Sequence, residues 1–185
     1  MRQNNLKTLA FFARTLSEKG LVVGSEGNFS VRTKYGFWIT PSGRLKQGLS
    51  ERDFVFVGWD KSFINGRPSS EWGMHLLVYK KNPQANSVIH THPLYTLRLF
   101  STDFDFNEFS LKEAEILLKN IAKVPFLPPG SQELWERVGE ASLTSKVIFL
   151  QGHGLVTWGE TIEEAVSLTE ILEKLSKFEL LKNTR

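Results

Sequence analysis

The chain has 185 residues, 41% of them hydrophobic and 23% charged, with 23 Lys and Arg against 20 Asp and Glu. That balance suits one soluble domain, residues 1–185, with a sizeable core, and the scattered basic residues exclude the arginine-rich arm or lysine block of a nucleic-acid binder. There are no cysteines, so disulfides and thiolate metal sites are excluded and any metal must take nitrogen and oxygen ligands. The N-terminus lacks a signal-peptide core and no apolar run reaches membrane-spanning length, which predicts a cytoplasmic protein with no membrane partner.

Residues 6–19 carry apolar side chains at helical spacing, and Gly20 supplies a C-terminal stop. A glycine-rich loop, Gly24-Ser25-Glu26-Gly27-Asn28, leads into a short strand over 29–33. Residues 37–40 predict its hairpin return, Thr40-Pro41-Ser42-Gly43 a turn, 53–59 a buried strand and Asn65-Gly66 a further hairpin turn. Ser70 is placed to cap a helix over 71–81, which Asn82-Pro83 ends. Residues 87–92 read as a strand, and 93–101 and 111–122 as helices. After a short extended piece at 124–127 come a helix over 132–141, strands at 147–150 and 155–158, and a long helix over 161–181. Thr161 caps that last helix, with Glu164 three residues on. Short strands, hairpin turns and interspersed helices predict a mixed α/β sandwich around a largely antiparallel sheet.

All four histidines lie where one divalent metal could collect them. His90 and His92 sit two apart, so on a strand both rings share a face, about 6–7 Å apart at the backbone. His153 stands between Gly152 and Gly154 just past an apolar strand, where the chain has freedom for close approach. Glu71 and His75 share a helix face at spacing i, i+4, and spacing alone leaves either open as a fourth ligand. Three imidazoles with one open position match catalytic zinc sites, where the cation acts as a Lewis acid and a nearby carboxylate moves protons. Three loops rich in small donors, at 24–28, 40–43 and 68–70, hold the ingredients of a phosphate cradle.

Gly-Asn-Phe-Ser from Gly27, Thr-Pro-Ser-Gly from Thr40, Ser-Ser-Glu-Trp from Ser69 with His75, His-Thr-His from His90 and Gly-His-Gly from Gly152 occur in this order in class II aldolase/adducin proteins. The chain resembles that family from about Leu6 to its final helix, and Ser-Ser-Glu-Trp is characteristic of the branch acting on L-fuculose 1-phosphate. The resemblance implies a three-layer α/β/α sandwich and homotetramers with active sites between subunits. It also implies one Zn2+ per subunit on His90, His92 and His153, with Glu71 as a metal ligand that leaves to act as acid/base. Asn28, Ser42, Gly43, Ser69 and Ser70 would hold the substrate phosphate, and His75 would not be a ligand. The implied reaction is retro-aldol cleavage of a ketose 1-phosphate to dihydroxyacetone phosphate and a small aldehyde.

Two features depart from that branch. Its bacterial members use tyrosines late in the chain, whereas the three here are Tyr35, Tyr79 and Tyr95. A sister branch dehydrates methylthioribulose 1-phosphate with a glutamate in a helix beyond the histidine pair. Glu115 matches that position best and Glu113 lies two residues before it, although a solvated helix face is the simpler account of both. Adducin-like scaffolds keep the fold without catalysis but lose metal ligands that this chain retains.

Overall fold

The computed structural model describes residues 2–182. Its centre is an eight-stranded sheet: β1 (Asn28–Thr33), β2 (Gly36–Ile39), β3 (Val55–Gly58), β4 (Phe63–Ile64), β5 (Ser87–Thr91), β6 (Ile121–Val124), β7 (Val147–Leu150) and β8 (Gly154–Gly159). The spatial order is β4-β3-β2-β1-β5-β8-β7-β6. Every pairing is antiparallel except the parallel pair at the β6–β7 edge.

Helices cover both faces, completing three layers. On one face α1 (Arg2–Glu18) and α6 (Ile162–Leu181) pack Leu9, Ala13, Ala165 and Val166 against Phe29, Val31, Trp38 and Ile89. Further along that face, α6 with α3 (Leu94–Phe100) and α4 (Glu113–Leu117) covers Val147, Phe149 and Leu155. On the other face α2 (Trp72–Lys81) and α5 (Gln132–Ala141) cover Phe37, Ile39, Val57, Val88, Ile148, Leu150 and Val156. Neighbours along a strand, such as Val88 and Ile89, therefore enter different cores, as the two-residue period of a strand requires. Because both faces are buried, β2, β3 and β7 read as continuous apolar runs rather than as alternation. Among the described residues no helix is long and apolar enough to cross a membrane.

The long C-terminal helix starts where its cap predicts. Thr161 Oγ1 accepts from the Glu164 backbone N–H at 3.1 Å, and Glu164 Oε2 accepts from the N–H of Glu160 at 2.8 Å. Three local expectations need correction. The β3–β4 turn is made at 59–62, where Asp60 Oδ1 accepts from Ser62 N–H and O–H at 3.0 and 2.6 Å, and not at Asn65-Gly66. Asn65 and Gly66 do take positive φ, but beyond β4, where Asn65 Nδ2 donates to the carbonyls of Arg52 and Phe54. Helix α2 begins one residue later than expected, with Glu71 in the capping position and Ser69 Oγ, not Ser70, near its N–H at 3.4 Å. The helix expected over 111–122 holds only over Glu113–Leu117. Lys119 at φ 55° breaks it, and Ile121 and Ala122 extend the sheet edge beside β7, where pairing outweighs helical propensity.

Candidate active site

Strands β1, β5 and β8 lie side by side, with Asn28 opposite His90 and His90 opposite Val156. Directly paired residues project to the same side of a sheet, so Asn28 and His90 face α2 together. Glu71 enters from the start of that helix, and the tight β7–β8 turn brings in His153, whose N–H donates to the Leu150 carbonyl at 3.0 Å. The rings of His90, His92 and His153 meet with centroids 4.9–5.5 Å apart. One ring nitrogen from each lies within 4.8 Å of the others. Gly154 makes this approach possible: a Cβ there would stand 2.7 Å from atoms of both His90 and His92. Gly152, at φ +65°, turns the chain into the histidine.

Hydrogen bonds fix which nitrogens face inward. His90 Nδ1 donates to the Leu155 carbonyl at 3.0 Å, and His92 Nδ1 lies 3.0 Å from Glu26 Oε2. In the neutral rings the Nε2 atoms therefore carry lone pairs, yet they sit 3.1 Å apart. The Glu71 carboxylate adds Oε2 at 3.1 Å from His90 Nε2 and Oε1 at 3.4 Å from His153 Nε2. Oε1 and His153 Nδ1 are buried and make no hydrogen bond. Converging lone pairs in a desolvated place repel unless a cation lies among them, so this nitrogen-and-oxygen set fits a divalent metal. The His92 side chain, 22% exposed against 0% for His90, marks the open side.

Protonation follows the same crowding. Burial disfavours the His90 imidazolium, but the Glu71 carboxylate, their hydrogen bond and the Leu155 carbonyl outweigh it and hold the pKa above its ordinary value. Burial also works against the Glu71 carboxylate, yet His90, His153 and Asn28 together keep its pKa well below the usual range. Burial, then the neighbouring His90, pushes His153 down to about 4 and lowers His92.

His75 does not join the three rings. It is fully buried behind Asn28, with Nε2 2.5 Å from Asn28 Oδ1 and Nδ1 2.6 Å from Ser30 Oγ. The three donor-rich loops do meet. Pro41 and Pro68 form an isolated bridge, Ser42 N–H donates to the Arg67 carbonyl and Ser69 N–H to that of Thr40. Thr40 in turn bonds the backbone of Phe29, beside Asn28. Ser42, Gly43 and Ser70 are exposed at this junction, whereas Ser69 is nearly buried. Asn28 is buried and its amide is shared between Glu71 and His75. Glu115 and Glu113 are exposed on α4, paired with Lys112 and Lys174.

Two residues escaped sequence reasoning. Glu26 orients His92, as a carboxylate behind a metal-binding imidazole does, and its signal was a charge inside a glycine-rich loop. Lys46 is buried, donates to the carbonyls of Ser25 and Arg44, and so ties the first loop to the second. Burial, only partly offset by Glu26, pushes its pKa down to about 8. Nothing in its local sequence marked it.

A family model described as the class II aldolase and adducin N-terminal domain matches residues 7–180. A protein named L-fuculose phosphate aldolase from Methanococcus maripaludis strain C5 is 35% identical over 179 residues, covering 97% of each chain. A 3-oxo-tetronate 4-phosphate decarboxylase from Haemophilus influenzae is 31% identical over 170 residues, covering 89% of this chain and 81% of its own. The crystal structure of L-fuculose-1-phosphate aldolase from Thermus thermophilus superposes with a TM-score of 0.87 at 28% identity. That match covers 97% of this chain and 94% of the other.

Proposed function

We propose, for a chain that belongs to the class II aldolase and adducin family, that it is a zinc-dependent sugar-phosphate aldolase cleaving a ketose 1-phosphate of the fuculose type. The observation that carries this reading is the meeting of His90, His92, His153 and the Glu71 carboxylate in one desolvated cluster beside three donor-rich loops. His90, His92 and His153 would hold Zn2+, with Glu71 completing the set until substrate arrives. Bound there, the cation would supply Lewis acidity to the substrate carbonyl and its neighbouring hydroxyl.

The chain's own residues do the rest. Exposed Ser42, Gly43 and Ser70, with Ser69 and Asn28 behind them, orient the phosphate through hydroxyl, amide and backbone N–H groups. Glu71 takes the proton of the substrate 4-hydroxyl as the C3–C4 bond breaks, the bonding electrons forming a C2=C3 double bond while the carbonyl pair moves onto oxygen. Glu71 then returns that proton to C3, yielding dihydroxyacetone phosphate and an aldehyde. The proposed assembly is a homotetramer with active sites between subunits, which sedimentation would check.

The test is to incubate zinc-loaded protein with fuculose 1-phosphate and, separately, with methylthioribulose 1-phosphate, and to identify products by mass. Dihydroxyacetone phosphate from the first is expected. Loss of one water from the second, with no cleavage of the first, would move the protein to the dehydratase reaction and give Glu115 the acid/base role. Failure to retain any zinc would leave a scaffold. Glu71→Gln should still take up zinc yet lose turnover by about 10²–10⁴-fold, and an unimpaired rate would remove Glu71 from catalysis.

A further inference from the structure

The polar side chains behind Glu71 form an unbroken file through the core. Tyr79 Oη lies 2.7 Å from Ser30 Oγ, Ser30 Oγ 2.6 Å from His75 Nδ1, His75 Nε2 2.5 Å from Asn28 Oδ1, and Asn28 Nδ2 2.9 Å from Glu71 Oε2. None of the four behind the glutamate is more than 3% exposed, so water cannot substitute for a missing partner. Asn28 and Ser30 are two apart on β1 and thus share the face that meets α2, which carries both His75 and Tyr79.

The direction of every bond follows from the glutamate end. A carboxylate accepts only, so Asn28 turns its Nδ2–H to Glu71 and leaves Oδ1 for His75. Oδ1 also accepts only, so His75 Nε2 carries a hydrogen. Burial, then the charge of His90, pushes the His75 pKa down to about 3, so the ring is neutral and Nδ1 has a lone pair. Ser30 must then donate to Nδ1 and accept from Tyr79, whose phenol burial keeps protonated. All four donors point the same way, toward the carboxylate, and the amide at Asn28 stops the file from passing a proton.

We propose that His75 is a positioning residue: the one-way chain from Tyr79 through Ser30, His75 and Asn28 pins Glu71 Oε2 and presents the unpartnered Oε1 to the histidine cluster. This rests on the proposed role of Glu71 at the metal. His75 touches neither metal nor substrate, and acts only through Asn28. Its neutral Nε2–H tautomer is what gives the chain its polarity. The Nδ1–H form would set the Nε2 lone pair against Asn28 Oδ1, an acceptor facing an acceptor.

Two measurements test this without any substrate. In long-range 1H–15N spectra of histidine-labelled protein, His75 should appear as the neutral Nε2–H tautomer, and a protonated or Nδ1–H ring would overturn the proposal. Zinc affinity, read by chelator competition, supplies the second. His75→Leu and Glu71→Gln should each weaken binding by about 10–100-fold, the range for residues supporting a metal ligand. The double variant should be no weaker than Glu71→Gln alone. Independent losses that multiply, or a His75→Leu protein with parental affinity, would refute the relay. Should His75→Leu not fold, Ser30→Ala takes its place in the same cycle. It should weaken zinc binding only when Glu71 is present, with His75 still in the Nε2–H tautomer that Asn28 Oδ1 imposes, and a switch to Nδ1–H would refute the assigned polarity. Glu71→Gln binding zinc as tightly as the parent would instead refute the ligand role on which the relay rests, a result separate from the His75 tautomer.

Discussion

The two faces of β1 and β5 meet very different interiors. Toward α1 and α6 they present Phe29, Val31 and Ile89 to a wholly apolar core that includes Leu9, Ala13, Phe54 and Val166. Toward α2 they present Asn28, Ser30 and His90, equally buried but polar, with Val88 the apolar residue among them. The apolar face is held by area removed from water, a non-directional effect that a neighbour can partly relax to recover. The polar face is held by hydrogen bonds that have no substitute once one partner is lost. One sheet thus carries a tolerant side for stability and an intolerant side for chemistry.

The largest effect should come from the end of the polar side that faces solvent. His92→Ala removes one imidazole from three and should abolish stoichiometric zinc after desalting, measured by elemental analysis. Retention of one zinc per subunit would strike His92 from the ligand set. Next, Phe29→Ala on the apolar face should cost about 3–5 kcal/mol in urea unfolding, with zinc stoichiometry unchanged among molecules that remain folded. A loss of zinc there would mean that the two faces are not separable. Ser30→Ala, one residue along, removes a single oxygen from the polar side. It should cost about 1–3 kcal/mol, out of proportion to its size, and a cost below 0.5 kcal/mol by the same titration (roughly the scatter of exposed substitutions) would show the file to be slack. Ile89→Val, on the apolar face beside His90, should be the mildest, about 0.5–1.5 kcal/mol with metal binding intact.

The histidines show how far such a distinction was legible in advance. His90 and His92 declared themselves by a two-residue spacing, which any strand turns into a shared face. His153 did so through flanking glycines, and a Cβ at Gly154 would indeed collide with the other two rings. His75 carried an equally strong local signal, four residues after Glu71, but its nitrogens are spent on Asn28 and Ser30. Helical spacing puts two side chains on one face and cannot say which of them reaches the far side of a neighbouring strand. Asn28 shows the same limit, since a motif marks it for the phosphate and only the structure adds that its amide also bonds Glu71 and His75. The segment at 111–122 failed for another reason. Its helical pattern was sound, but an open sheet edge beside β7 claimed Ile121 and Ala122.

Sequence alone determined the layered α/β class, the start of α6, the span of α5 and the group of residue types able to hold a metal, because capping, strand period and ligand chemistry act over a few residues. Tertiary structure alone decided that Glu26 stands behind His92, that Lys46 reaches back to the Ser25 carbonyl, and that a file of hydrogen bonds runs from Tyr79 to Glu71. Those contacts join residues 21 to 66 positions apart, and their strength depends on burial. A polar atom acquires its partner, and its cost if deprived of one, only when the layers close and water leaves.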